Sequence, residues 1–314
     1  MDQALKTKIA FWYYNCGMTQ EEIARRTGLT RQKINGVIGS LREDGILTVS
    51  IRGCQDRQPE KEAFLESHYR LDQVIISPDY GSEEYSFFKL ANTAAQYLEQ
   101  IISDGCVIGV SWGKTLAATV HEMRFMKKRD CRVMQLMGVQ SMDRFPMKSD
   151  DIVRSLAEKL DCPSNMLYAP VLVSDPHTKT VLLKEKSILG SVEAMKNCDI
   201  GLFGIGELNK QAPMCTMGYL AQEDLARLNR EGFCADIALN PIRKDGSYDR
   251  CFLKERTINA DPDCIRQMKN AVGIAAGKKK AEAVLAILRA HLLNTLIIDQ
   301  ELADALIQMT EETI

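Results

Sequence analysis

Residues 108–115, which read IGVSWGKT, end in the Gly-Lys-Thr of a nucleotide-binding P-loop. A P-loop has four residues between its glycines, because successive backbone N–H groups must curl around a phosphate. Here three residues separate Gly109 from Gly113, and the next apolar run, 131–139, has no acidic residue to hold a magnesium ion. The pattern therefore argues against ATP hydrolysis. A short apolar run, a glycine turn and a helix start still form a place where an anion can bind.

A second anion-binding pattern is the segment 275–280, in which Gly277 precedes three lysines. Cations at a helix start oppose the helix dipole, and a bound phosphate would remove that conflict, although a solvated lysine run is the plain alternative. We expect this segment and 108–115 to form two walls of one anion pocket. The N–H groups of residues 112–114 and 277–279 would face the phosphate, and Lys280, helped by Lys114, would supply charge.

These residues lie where predicted strands end. Strand-like and helix-like segments alternate from residue 73 to the last helix at 301–312, which predicts an α/β fold with a doubly wound, mostly parallel sheet. The predicted strands are 73–78, 106–111, 131–138, 166–173, 199–206, 233–240, 271–277 and 294–299.

Ligands of such sheets bind at the carboxyl ends of the strands. The pair Gly204 and Gly206 lacks the third glycine and the downstream acid of a dinucleotide fingerprint, so we expect no nicotinamide cofactor. Asp236 and Asp299 could accept hydrogen bonds from sugar hydroxyls or could cap a turn or helix. The candidate ligand-binding residues at this edge are Ser111, Trp112, Gly113, Lys114, Gln135, Met137, Gly138, Asp236, Gly277, Lys278, Lys280 and Asp299.

The first fifty residues have the spacing of a helix-turn-helix. A helix over 4–15 precedes Thr19, which can form a capping box with Glu22. Residues 26–29 supply a turn, and Thr30 can cap a second helix that Gly45 closes, with its apolar residues on one stripe at 34, 37, 38 and 41. Residues 46–52 alternate like a strand and could form the wing of a winged helix.

The second helix of such a pair enters the DNA major groove with its first turn towards the base edges. Arg and Lys can pair with guanine, and Gln and Asn with adenine, whereas Arg52 would contact only the backbone. The plain alternative is a packing module with a solvated polar face. The predicted contacts to double-stranded operator DNA are Thr19, Gln20, Thr30, Arg31, Gln32, Lys33, Asn35 and Arg52.

Composition limits the possible classes of protein. The 314 residues are 45% hydrophobic and 26% charged, as in an ordinary globular chain. Residues 1–52 carry a net charge of +3 within a chain of net charge −2, a weak sign of a polyanion-binding module. The ten cysteines and four histidines lack metal-site or disulfide spacing, and no segment has the apolar length of a membrane helix. We expect a cytoplasmic protein with reduced thiols, no metal and no cofactor.

Taken together, the motifs TQEEIARRTGLTRQKI, GVSWGKT, AAGKKKAEAV and LIIDQELADAL resemble the SorC family of bacterial transcriptional regulators of sugar catabolism over essentially the full length. The spacing of the head and the charged amphipathic stretch 58–71 predict a helix-turn-helix domain at 1–53 and a linker helix at 54–72. The resemblance implies that 73–314 is a sugar-binding and oligomerisation domain. It also implies that the candidate ligand-binding residues hold a sugar or sugar-phosphate effector. Because one head of net charge +3 neutralises few DNA phosphates, we expect a homo-oligomer, a dimer or tetramer.

The sequence departs from the family pattern after the third strand. Some members have a Gly-Gly pair there, preceded in one type by a lysine that can form a Schiff base, but this chain has Met137 and Gly138. Covalent capture of an aldehyde is therefore not expected. Because the effector domain is similar to sugar-phosphate isomerases, such an enzyme is the alternative function. It would need a general base aided by a second acid or histidine, and we find no such cluster.

Overall fold

The computed structural model describes residues 2–47, 58–139, 149–216 and 220–312, except the side chains of residues 213 and 214. The chain divides into two compact units, Met1–Gln55 and Asp56–Ile314, which we call the head and the body. Within the described residues, no helix is long and apolar enough to cross a membrane.

The head is a helix-turn-helix, as predicted. Its helices are α1 (Gln3–Ala10), which continues as a π-helical turn over Phe11–Asn15, α2 (Gln20–Thr27) and α3 (Arg31–Ser40). Thr19 and Glu22 form the capping box at the start of α2, and the Thr30 side chain caps α3. Gly28 ends α2 with φ 71°, a left-handed conformation that glycine adopts without steric cost.

A small apolar core holds the three helices together. Ile9, Ile23, Ile34 and Leu41 are fully buried in it, which confirms the predicted stripe on α3. The prediction that Gly45 closes α3 is wrong, because the helix ends at Ser40 and turns follow up to Gly45. The predicted wing lies outside the described residues from position 48 onwards, and so does Arg52.

Seven described strands of the body pair in parallel, in the order β1-β9-β8-β5-β2-β3-β4, and form the main part of its sheet. Two further strands extend it, since β6 pairs antiparallel with β5 and β7 pairs antiparallel with β6. The mostly parallel sheet is as predicted. The strands are β1 (Gln73–Ser77), β2 (Val107–Val110), β3 (Arg132–Gln135), β4 (Ser164–Asn165), β5 (Ile200–Glu207), β6 (Phe233–Ile237), β7 (Asn240–Arg243), β8 (Asn270–Ala275) and β9 (Thr295–Asp299).

Helices connect the parallel strands and pack on them. The buried residues of the strands are divided between two large apolar clusters of the body. A 3-10 turn over Lys278–Lys280 precedes α13. The body helices are α4 (Pro59–Tyr69), α5 (Glu83–Ile101), α6 (Lys114–Glu122), α7 (Ser149–Leu160), α8 (Pro176–Leu182), α9 (Lys186–Ala194), α10 (Pro213–Thr216), α11 (Gln222–Arg230), α12 (Pro262–Gln267), α13 (Ala281–Arg289) and α14 (Gln300–Glu311).

The prediction of a strand at 166–173 is wrong. The fourth strand is the two-residue β4, and the segment after it makes only isolated bridges, at Pro170 and Leu172. Pro170 has no backbone N–H to donate, so it cannot take a regular place in a sheet ladder.

The prediction of one strand at 233–240 is wrong in part, because the segment forms β6 and then turns back into the antiparallel strand β7. Ala238 and Leu239 both have positive φ, at 48° and 59°, and they turn β6 back into β7. Asn240 holds this turn by donating its Nδ2 hydrogens to the carbonyl oxygens of Ile237 and Ala260, both at 3.0 Å. Asp236 therefore lies on an antiparallel strand, opposite Gly206 of β5.

The helix predicted as a linker is packed into the body. Leu65 of α4 is fully buried, and the Tyr69 hydroxyl lies 2.6 Å from Thr310 Oγ1 on α14. The carboxylates of Glu62 and Glu66 accept hydrogen bonds from N–H groups of β1 at 2.9 and 2.8 Å. These contacts cover an edge of the sheet whose N–H groups would otherwise be unpaired.

Candidate functional site

Two adjoining cavities open at the carboxyl edge of the parallel strands. The larger, of about 870 Å³, lies at the ends of β5 and β6 and is bounded by Trp112, Gly113 and Asp236. The smaller, of about 750 Å³, lies beside β9 and the start of α5. Lys114, Thr115 and Lys280 border both cavities, so two lysines stand between them.

The start of α6 forms one wall. The backbone N–H groups of Trp112, Gly113 and Lys114 have no hydrogen-bond acceptor within the described chain. Such N–H groups at a helix start attract an anion, because the helix dipole adds to their partial positive charge. The Lys114 ammonium lies 4.9 Å from the centre of the Phe87 ring and makes no ion pair with a described residue. This wall matches the sequence-based expectation.

Lys280 forms the facing wall. Its ammonium is part-buried and donates a hydrogen bond to the carbonyl oxygen of Ile205 at 2.9 Å. Burial lowers the pKa of Lys280, while the nearby carboxylates of Glu207 and Asp299 act in the opposite direction. The ammonium is thus poorly solvated, and a bound anion would stabilise it.

The Gly277 segment differs from the expectation in two respects. The N–H group of Gly277 is not free for a phosphate, because it donates to Asp299 Oδ2 at 2.7 Å. Asp299 Oδ1 accepts from the N–H of Leu302, so Asp299 caps α14 with one oxygen and holds Gly277 with the other. Lys278 is exposed and borders neither cavity, whereas its neighbour Lys279 borders the larger one.

Asp236 is the clearest sign of a polar ligand. The residue is 6% exposed, it borders the larger cavity, and its Oδ1 atom has no hydrogen-bond partner in the described structure. Burial raises the pKa of Asp236 to about 7, against the lowering effect of a backbone hydrogen bond at Leu239. A buried carboxyl oxygen without a partner is costly, so a ligand hydroxyl there would remove an existing penalty.

The predicted residues of the loop after β3 line neither of the two cavities. Gln135 is buried and uses its amide to hold Ser149 Oγ at 2.5 Å and the N–H of Leu167 at 3.1 Å. Met137 is fully buried in the same apolar cluster as Trp112. At Gly138, an added Cβ would lie 2.4 Å from the Ala169 carbonyl oxygen, so this glycine allows close packing of two segments.

Ser111 also lines neither of the two cavities. It is fully buried, and its Oγ atom has no partner in the described residues, although its N–H donates to the Leu202 carbonyl at 2.9 Å.

Several residues that border the cavities are not among the predicted ligand-binding residues. Glu207, Asn209 and Gln211 border the larger cavity, and Asp79, Ser82 and Phe87 border the smaller one. Glu207 ends β5, and Asn209 and Gln211 follow it, a position to which the strand-end rule already pointed. Asp79 and Ser82 lie between β1 and α5, and Phe87 lies near the start of α5, where no phosphate-like motif drew attention. Within the described chain, no group of His, Cys, Asp and Glu residues could hold a metal ion.

The head presents a polar surface on the first turn of α3. Arg31, Gln32, Lys33 and Asn35 are all exposed, and the first three side chains have no partner in the described part of the head. This placement is the one predicted for contacts with base edges.

Other predicted DNA contacts have structural partners. The hydroxyls of Thr19 and Thr30 accept backbone hydrogen bonds as helix caps. Gln20 Nε2 donates to Asn35 Oδ1 at 3.1 Å, which joins the first turn of α2 to the second turn of α3. Thr19 and Thr30 thus fix the starts of α2 and α3, and the bond between Gln20 and Asn35 links the two helices.

Comparison with known proteins gives the same two-part division. Residues 56–308 match the family model described as "Putative sugar-binding domain", and residues 13–48 match a winged helix-turn-helix DNA-binding model. The erythritol catabolism regulatory protein EryD of Brucella abortus is 27% identical over 98% of this chain and 97% of its own. The deoxyribonucleoside regulator of Bacillus subtilis is 25% identical, with 97% of both chains covered.

A solved structure agrees with the fold. The full-length sorbitol operon regulator SorC of Klebsiella pneumoniae superposes with a TM-score of 0.74 at 23% identity, covering 96% of this chain and 98% of its own.

Proposed function

Because the chain belongs to the SorC family of bacterial sugar-responsive transcriptional regulators, we propose that its body binds a phosphorylated sugar and so controls operator binding by its head. It is a DNA-binding regulator with a sugar-binding domain and not an enzyme. The proposal concerns the effector, the residues that hold it and the oligomer that responds.

The phosphate binds between α6 and Lys280. The free N–H groups of residues 112–114 supply donors, and Lys280, Lys279 and Lys114 supply positive charge from two sides. Hydrogen bonds from ionised donors to phosphate are among the strongest in proteins. One observation carries the proposal. The unpaired N–H groups at the start of α6 and the part-buried ammonium of Lys280 border the same cavity.

The sugar extends from this phosphate towards Asp236. Its Oδ1 atom accepts a hydrogen bond from a hydroxyl, and Glu207, Asn209 and Gln211 offer further polar groups around the same cavity. Names of the relatives refer to erythritol, deoxyribonucleosides and sorbitol, so small polyols and pentoses are the natural first candidates.

The head reads an operator through Arg31, Gln32 and Lys33, supported by the pair Gln20 and Asn35. One head with a net charge of +3 over residues 1–52 neutralises few phosphates, so tight binding needs two or more copies. We therefore place the active form as a homodimer or a tetramer on a palindromic site.

A thermal-shift screen tests the effector class. Free sugars, polyols and their monophosphates are each added to the full-length protein, and a ligand at one hundred times its Kd should stabilise by about 2.7 kcal/mol. We expect hits among the phosphates, with their free counterparts at least about tenfold weaker. If free polyols or sugars shift the melting point and their phosphates do not, the phosphate site is wrong.

A further inference from the structure

Asp299 makes two hydrogen bonds that join the edge of the proposed phosphate site to a helix. Its Oδ2 atom accepts from the N–H of Gly277 at 2.7 Å, and its Oδ1 atom accepts from the N–H of Leu302 at 3.0 Å. Gly277 and Asp299 both border the smaller cavity, as does Lys280. One carboxylate therefore occupies an N–H group that a phosphate beside Lys280 could use, and at the same time it caps α14.

A phosphate at this place opposes the Asp299 carboxylate. Burial raises the pKa of Asp299, its two backbone hydrogen bonds act against this, and the carboxylates of Glu301 and Asp79 raise it further. The carboxylate is thus poorly solvated and already has acidic neighbours. An anion bound to Lys280 adds another negative charge and offers the Gly277 N–H a second acceptor. Both effects favour a shift of Asp299 away from Gly277.

α14, which Asp299 caps, is bonded to α4, the first helix of the body. The Thr310 hydroxyl donates to the carbonyl oxygen of Leu306 at 2.6 Å, so it accepts the hydrogen bond from the Tyr69 hydroxyl, also at 2.6 Å. All three residues are buried. Lys61 of α4 and Asp304 of α14 form an ion pair nearer to the start of α14. A shift of α14 therefore reaches α4 through a buried hydrogen bond and an ion pair.

The same helix α4 is anchored to the sheet. The carboxylates of Glu62 and Glu66 accept from N–H groups of β1, and β1 pairs with β9, whose last residue is Asp299. α4 is thus bonded both to the sheet and to α14. If α14 shifts relative to the sheet, α4 cannot keep both sets of bonds unchanged. Because the head directly precedes α4 along the chain, chain continuity passes such a change on.

We propose that Asp299 competes with the effector phosphate for the N–H of Gly277, and that α14 and α4 pass its displacement on towards the head. The proposal rests on the phosphate site of the proposed function and describes how that site is regulated. Without effector, Asp299 holds Gly277 and caps α14. With effector, the phosphate takes the Gly277 N–H, and the first turn of α14 loses its cap. The effector thereby favours one of two arrangements of α14, as a ligand must to shift an equilibrium.

Hydrogen–deuterium exchange of the full-length protein tests this route, with inorganic phosphate as the probe and sodium chloride of equal ionic strength as the reference. Phosphate should raise the melting temperature. It should also speed amide exchange at least about twofold in the first turn of α14 and over residues 59–69, because the Leu302 N–H loses its acceptor and α14 shifts against α4.

The two measurements separate the site from the route. A melting temperature that phosphate leaves unchanged would contradict the phosphate site itself, and with it the route. A raised melting temperature with unchanged exchange over 59–69 would overturn the route and leave the phosphate site standing.

Asp299→Asn separates the two hydrogen bonds of this residue. Asparagine caps a helix as well as aspartate does, but its amide nitrogen cannot accept from the Gly277 N–H. The variant should bind phosphate at least about threefold more tightly and should lose the phosphate-dependent change in exchange at α14 and α4. Glu301 borders the same cavity but makes no hydrogen bond with a described residue, so Glu301→Gln should change phosphate affinity by less than about twofold. Equal effects of the two variants would overturn the competition for Gly277.

Tyr69→Phe tests the bond between α14 and α4. Phosphate should still speed exchange in the first turn of α14 by the same factor, whereas the change over 59–69 should fall by at least half. Tyr97→Phe is the matched control, because Tyr97 is also buried and its hydroxyl lies 3.3 Å from Thr295 Oγ1, which joins α5 to β9. This control should leave both responses unchanged. A response over 59–69 that survives Tyr69→Phe in full would overturn the transfer from α14 to α4 by this bond.

Discussion

At the scale of single residues, Asp236 is an unusual group, a carboxyl buried beside a cavity with one oxygen unpaired. Its pKa in the folded protein, about 7, lies above its ordinary value of 3.8, because burial disfavours the carboxylate. Between these values the folded chain holds a proton that the unfolded chain has lost. The contribution of Asp236 to the stability of the folded protein is therefore fully present below about pH 4. It is lost as the pH rises to about 7.

Asp236→Asn should remove this pH dependence. The difference in free energy of unfolding between the original protein and the variant is expected to change steadily as the pH rises from about 4 to about 7, with the original losing stability relative to the variant. Urea unfolding at several pH values measures the difference, in which the other titrating groups cancel. Parallel curves for the two proteins would show that Asp236 titrates normally.

Lys280 and Lys278 provide a matched pair for the phosphate site. Lys280 borders both cavities and Lys278 neither, although they are two residues apart. Lys280→Met should raise the effector concentration needed to change operator binding by about 10- to 100-fold, since a charge-assisted hydrogen bond contributes about 1.5–3 kcal/mol. Lys278→Met should leave it within about twofold.

Operator binding titrated against the sugar phosphate found by thermal shift measures both variants. Operator affinity without effector should stay near that of the unmodified protein. An unchanged midpoint for Lys280→Met would remove this lysine from the site.

At the scale of elements, the sequence predicted those helices and strands that local signals determine. Thr19, Glu22 and Gly28 specify the ends of α2 by capping and turn chemistry, and six of the eight predicted strands are parallel strands of the sheet. The hairpin between β6 and β7 could not be predicted, because Ala238 and Leu239 are not turn-forming residues. The Asn240 side chain holds the turn by a bond within it, to Ile237, and by a tertiary bond to Ala260, which no local pattern reveals.

Asn240→Ala should therefore destabilise the body. It removes the donor to the carbonyls of Ile237 and Ala260 and leaves both oxygens buried, at a cost of about 1–3 kcal/mol. Asn197→Ala, at an exposed position, should change the free energy of unfolding by less than about 0.5 kcal/mol. Urea denaturation compares the two, and equal stabilities would mean that the turn persists without its side-chain bonds.

The recognition helix gives a prediction of its own. Arg31 is exposed on the first turn of α3 and has no described partner, so it is free to contact a base edge. Arg31→Ala should cost about 1–3 kcal/mol of operator binding and relax the preference at one base pair in each half-site. Footprinting and binding titrations on single-base operator variants measure both effects. An unaltered footprint would show that α3 is wrongly assigned.

At the scale of the whole molecule, the sequence predicted a helix-turn-helix followed by a mostly parallel sheet, and the structure has both. The strand-end rule placed Trp112, Lys114, Asp236 and Lys280 together, because parallel strands end at one edge. It failed for Gln135 because that side chain turns to neighbouring chain at Ser149 and Leu167. Which strand-end residues face a cavity depends on such packing, and spacing along the chain does not encode it.

The final prediction concerns the link between the two units. If a sugar phosphate changes operator affinity by some factor, operator DNA must change the affinity for that sugar phosphate by the same factor, of about 5- to 150-fold. Isothermal titration of the effector into free protein and into the protein–operator complex gives one ratio, and operator binding at zero and saturating effector gives the other. Lys280→Met should weaken the effector in both titrations. A ratio of one in the calorimetry, alongside an effector-dependent operator affinity, would mean that the assumed cavity is not the site through which the effector acts.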